Sequence, residues 1–169
     1  MIDKLCKQLV EYTHNTEDPE INFKIALTYD SMNRVASAVS HYIRCAERTD
    51  DKLLQYECML RGGLAIRRQG SRLYTEKSFF QNAISILPNR PEAYLFMADV
   101  FYKLSMHHNA YTMICVGEQY CNLNEKLRET ISYKGEIEFK LKKLLFAHKC
   151  GMKPQDDTFE FIKDLDIKL

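Results

Sequence analysis

With 169 residues and 19.9 kDa the chain has the size of one domain, large enough to bury a core, and its formal charge of +1 supplies no global field that would draw in nucleic acid or acidic membrane. Only four prolines and six glycines interrupt a composition rich in helix formers, which favours an all-α fold. No apolar run approaches the roughly 18 residues of a membrane span, and MIDKLCKQLV lacks the basic-then-apolar order of a secretory signal, so the chain reads as soluble and unexported.

Taken in order, residues 1–14 predict a short amphipathic helix in which Ile2, Leu5, Cys6, Leu9 and Val10 share a face, suited to capping the end of a stack. A loop follows, with Asp18 as the expected N-cap ahead of Pro19. From Asn22 to Arg48 the pattern predicts two helices, with Ala26 and Tyr29 on the first and Ala38, Tyr42 and Cys45 on the second. The next pair is longer: a helix from about Asp51 to Gln69, a break at Gly70 and Ser71, and a second helix from about Thr75 to Leu87, with Thr75, Glu76 and Ser78 at its start. Gly63, Ile66, Phe80 and Ala83 take the small, large, aromatic and small roles there, and the turn after Gly70 holds one extra residue.

The clearest unit is PNRPEAYLFMADVFYKLSMHHNAYTMICVGEQYCN, residues 88–122. Pro91 suits the first helical position, with Asn89 or Arg90 as the cap. Tyr94, Leu95, Met97, Ala98, Phe101, Tyr102 and Leu104 then form an apolar stripe, residues 105–109 break it, and a second helix carries Ala110, Ile114, Val116 and Gly117. Laid over the first pair it fits without a gap, because twelve residues separate Ala26 from Ala38 and Ala98 from Ala110 alike. Residues 124–151 predict a closing layer, one long helix or a pair broken around Ser132 to Gly135, stopped by Gly151 and Pro154. An acidic tail, residues 152–169, carries Phe159, Ile162 and Leu165 on one stripe.

The order of Tyr94, Ala98, Phe101, Ala110, Ile114 and Gly117 resembles the tetratricopeptide repeat, with its period of about 34 residues. The resemblance implies a right-handed α-solenoid of antiparallel helix pairs: a single domain over 1–151, with about three pairs across 19–122. RRQGSR, PNRPEAYLFMADVFYK and AYTMICVGEQY, within residues 55–140, further resemble the helical-repeat region that accompanies some family-2 glycosyltransferases. That region is an appendage in those proteins, so the likeness implies association with such an enzyme and not its activity. In the repeat family the first helix of each pair lines a concave groove. The phase places Phe23, Leu27 and Asp30 there from the first pair, Glu57, Leu60, Leu64 and Arg67 from the second, and Glu92, Leu95, Asp99 and Tyr102 from the third. Arg68 joins them from the basic cluster beside Arg67.

Other constellations have structural readings. Arg67, Arg68, Arg72, Lys77 and Arg90 form the sharpest basic cluster, which could meet a phosphate or acidic peptide but reads first as a solvated helix C-terminus, where basic residues gather for local reasons. His107 and His108 read as surface turn residues, and together with His14, His41 and His148 they lack metal-ligand spacing. Cys6, Cys45, Cys58, Cys115, Cys121 and Cys150 show no CxxC and read as free thiols of a reducing compartment, the cytoplasm by default. With no nucleophile–base set, no Gly-rich nucleotide loop and no metal motif, the expectation is a non-enzymatic interaction module without cofactor or metal. Its partner would be another protein rather than nucleic acid or membrane, as a scaffold or as a subunit of a homo- or hetero-oligomer, including a viral particle.

Overall fold

The computed structural model describes residues 2–121, 127 and 135–152. Among these it is helical without a strand: α1 (Ile2–His14), α2 (Pro19–Ser31), α3 (Val35–Arg48), α4 (Lys52–Arg67), α5 (Leu73–Ile86), α6 (Pro91–Lys103), α7 (His107–Glu118) and α8 (Glu136–Lys149). Two compact units result, the first holding α1 to α5 and the second α6 to α8. Within the first, each helix packs on the next in sequence, and within the second α7 packs on α6 and α8 on α7. Most of the expected layer before α8, and the tail beyond Met152, lie outside the described residues.

Local chemistry sets the helix ends. The Asp18 carboxylate accepts from the backbone N–H of Glu20 and Ile21 at 2.8 and 3.1 Å, with Pro19 in the first turn, as the sequence predicts. Asp51 caps α4 in the same way through Leu53 and Leu54. Pro91 opens α6 with Arg90 at the cap position.

The turns show why the repeat pattern recurs. α2 ends with Asn33 at φ 57°, and Arg34 N–H reaches back to Tyr29 C=O at 2.9 Å. α6 ends with Ser105 at φ 59°, and Met106 N–H reaches Phe101 C=O at the same 2.9 Å. This is the six-to-one closure of a helix by one left-handed residue, and in both cases the next helix starts two residues later. In α4 the left-handed position falls to Gly70 at φ 77°, and Ser71 is the extra residue before Arg72, the N-cap position of α5. Helix α5 therefore starts at Leu73, two residues before the expected Thr75, and the expected cap does not form: Ser78 donates instead to the Tyr74 carbonyl. His107 and His108 likewise belong to the first turn of α7, not to the preceding turn.

Phe23, Ala26, Ala38, Tyr42 and Cys45 of the first pair form one buried cluster with Leu54 and Cys58 of α4. Beside it lies a buried polar bridge. The Asn22 side-chain N–H donates to the carbonyls of Thr16 and Asp18, which turns its oxygen toward His41 Nδ1 at 2.9 Å. His41 Nδ1 must then carry the proton. The ring stacks on Tyr29 and meets Tyr12 edge-on, and burial, aided by the Arg44 charge, lowers its pKa below 6.5. An imidazole held neutral in the fold but free to protonate when unfolded costs stability on acidification. Urea titrations should show stability constant above the unfolded value and declining as pH falls below about 6.5; His41→Gln, which keeps a donor to Asn22, should flatten that limb. A limb unchanged in His41→Gln would assign it to other groups.

Helix α1 departs from expectation. Its docked side carries Gln8, whose Oε1 accepts from the buried Thr28 hydroxyl at 2.8 Å, and Tyr12, whose hydroxyl accepts from Arg44 at 2.7 Å. Ile2, Cys6 and Val10, from the predicted apolar face, are exposed.

Candidate functional site

The first unit presents a surface built from α2 and α4, the first helices of its two pairs. Leu27 and Leu64 stand six residues before the left-handed positions Asn33 and Gly70, and both remain partly exposed. Asp30 on α2 pairs with Arg68, the residue that caps the C-terminus of α4. Around this bridge lies a cavity of about 770 Å³ lined by Leu27, Asp30, Ser31, Asn33, Arg61 and Arg68. Arg61 Nε donates to Glu57 at 2.9 Å one turn earlier on α4, and Glu57 is itself fully buried.

In the core of the first unit stands Tyr42 of α3. Its ring fills the core position held by Phe80 in α5 and Ile114 in α7, and its side chain is fully buried. The hydroxyl has no hydrogen-bond partner among the described residues. Burial, together with the Asp30 charge, pushes its pKa far up, so it is a phenol and a donor. A buried hydroxyl without a partner costs about 1–3 kcal/mol, and His107 Nδ1 is likewise buried without one among the described residues.

Several predicted groove residues lie deeper than the phase implies. Phe23, Leu60 and Leu95 are core residues, and Glu57 and Glu92 are buried in ion pairs. Arg67 turns inward: its Nε meets Glu76 of α5 at 2.5 Å, with the guanidinium 5.3 Å from the Phe80 ring centre. Glu76 occupies the place of Ala38 and Ala110, four residues before the aromatic or aliphatic core position in each second helix. In the second unit Asp99 accepts from Lys142 of α8 at 2.7 Å, and Tyr102 lies between Phe146 and His107 with ring centres 5.1 and 5.4 Å away.

The basic cluster does not persist as a charged patch. Arg67 pairs with Glu76, Arg68 with Asp30, and Arg90 with Glu92 at 2.7 Å, the last pair almost fully buried. Arg72 and Tyr74 are exposed. The cysteines are all free thiols; Cys45 and Cys58 are buried side by side, and their mutual hydrogen bond with burial pushes the Cys58 thiol up. Among the described residues no three His, Cys, Asp or Glu side chains gather as a metal site, and no helix is long and apolar enough to cross a membrane. No protein-family model matches the chain, and no curated protein matches it.

Proposed function

We propose that the chain is a non-enzymatic protein–protein interaction module whose helix pairs are tetratricopeptide-like repeats stacked in the right-handed sense. The observation that carries this reading is the α2–α4 surface: two successive first helices expose Leu27 and Leu64 in the same register, beside a charged cavity. Apolar anchors flanked by charge are what a peptide or helix partner needs, the anchors for affinity and the charges for register. Affinity capture from the native source with wild type, Leu64→Glu and Arg68→Glu tests it. Both sites are partly or well exposed, so helicity should be retained while the partner is lost; undiminished capture by both variants would refute the assignment of this face.

A second reading, a structural subunit of a larger assembly, is supported by the exposed apolar stripe Ile2, Cys6 and Val10 on α1. Native mass measurement discriminates: a defined complex supports it and a monomer in the native extract counts against it. Association with a glycosyltransferase rests on the sequence resemblance alone and is tested by co-purification.

A further inference from the structure

We propose that the outer face of α1 binds the same face of a second copy of the chain, in an antiparallel two-fold pair centred on Cys6. The proposal rests on the second reading above for the use of this face and gives it a definite partner.

The face is what α1 leaves outward when it docks. Gln8 and Tyr12 hold the helix to α2 and α3 through Thr28 and Arg44. On another side of the helix stand Ile2, 67% exposed, and Val10, 60% exposed, with the exposed Cys6 midway between them. Residues at this four-residue spacing share one line, so Ile2 and Val10 each lie about 6 Å from Cys6 along the helix. A two-fold contact is self-complementary: a residue that meets another across the axis is met by it in return. With the axis at Cys6, Ile2 of each copy meets Val10 of the other, and the stripe covers itself. The charges beside the stripe set the direction. Asp3 and Lys7, both exposed, share one edge of it a turn apart. In the antiparallel pair Asp3 of one copy lies about 3 Å along the axis from Lys7 of the other, within reach of a lysine side chain, and the contact forms twice. A parallel pair would instead set Asp3 against Asp3 and Lys7 against Lys7.

One helix face is narrower than the about 1,600 Å² of a standard interface, so the pair is expected to be weak, with a dissociation constant on the order of 100 µM. Sedimentation equilibrium of the full chain, carried up to about 500 µM, should show a monomer–dimer equilibrium. Val10→Glu, at a site the fold leaves exposed, should weaken the dimer by about tenfold or more. Asp3→Lys and Lys7→Glu should each weaken it severalfold, and an equimolar mixture of the two should regain it, because the mixed pair restores both opposite-charge contacts. Diamide, which takes two electrons and two protons from a pair of thiols, should trap a Cys6–Cys6 disulfide in wild type and far less of it in Val10→Glu, read by peptide mass. A chain that stays monomeric throughout the concentration range would overturn the proposal. Dimerisation or Cys6 trapping unchanged by Val10→Glu, or a charge-swapped mixture no better than its components, would overturn it as well. A monomeric purified chain together with a defined complex of other proteins in the native extract would remove this inference and leave the assembly reading intact.

Discussion

Arg67→Ala is expected to destabilise the first unit by about 3 kcal/mol, because it strands the Glu76 carboxylate inside the protein. The side chain of Glu76 is 3% exposed and that of Arg67 is 20% exposed, so the two deletions are not equivalent. Removing the arginine leaves a buried carboxylate without the cation it pairs with. Removing the glutamate by Glu76→Ala leaves a cation that keeps its contact with Phe80 and has a path to solvent, at a cost of about 1 kcal/mol. Glu76→Ala also places at this position the residue that the other two pairs use there, Ala38 and Ala110. The double variant Arg67→Met with Glu76→Ala should therefore recover most of the loss of Arg67→Ala. Urea denaturation of the four proteins measures these stabilities. Equal losses in the two single variants, or a double variant no better than Arg67→Ala, would show that the pair does not act through the buried carboxylate.

That pair also marks the limit of what the residues disclose on their own. The left-handed turns at Asn33 and Ser105 return the same register, so the gapless match of the two pairs was legible from spacing. The extra residue after Gly70 was legible too. Its consequence was not: it moves Glu76 into the small-residue position, where a glutamate in a first helical turn otherwise reads as a cap or dipole partner. Only Arg67, nine residues earlier and on another helix, makes it a core residue. The groove shows the same limit. Periodicity gives the direction of a helix face but not the width of the arc that neighbours cover. On α4 and α6 the covered arc reaches Glu57, Leu60, Glu92 and Leu95, and it leaves Leu64 partly exposed. Tyr42 is a similar case, since an aromatic at a core position predicts burial of its ring and says nothing about its hydroxyl. Exposed Ile2 and Val10 on α1 follow from a polar anchor, Gln8 to Thr28, that overrides the apolar stripe when the helix docks.

Gly117→Ala is expected to cost about 1–3 kcal/mol, although alanine is the better helix former. Spacing identifies this position only as small, and the matching residues Cys45 and Ala83 carry side chains. In α7 a methyl group would stand 2.5 Å from the Phe139 ring and 2.7 Å from the Tyr94 Cβ. The ring belongs to α8 and can tilt. A Cβ is tied to its backbone, so relief requires α6 and α7 to separate, which loosens the packing around the buried Ala98, Ala110 and Ile114. Phe139→Leu in the same chain should therefore return only part of the loss. Calorimetry gives the magnitude, and hydrogen exchange gives the location, with protection falling first in α7 and α8. A Gly117→Ala protein as stable as wild type would mean that α6 and α7 yield freely at this contact, and the close approach would then be a consequence of the glycine and not a requirement for it.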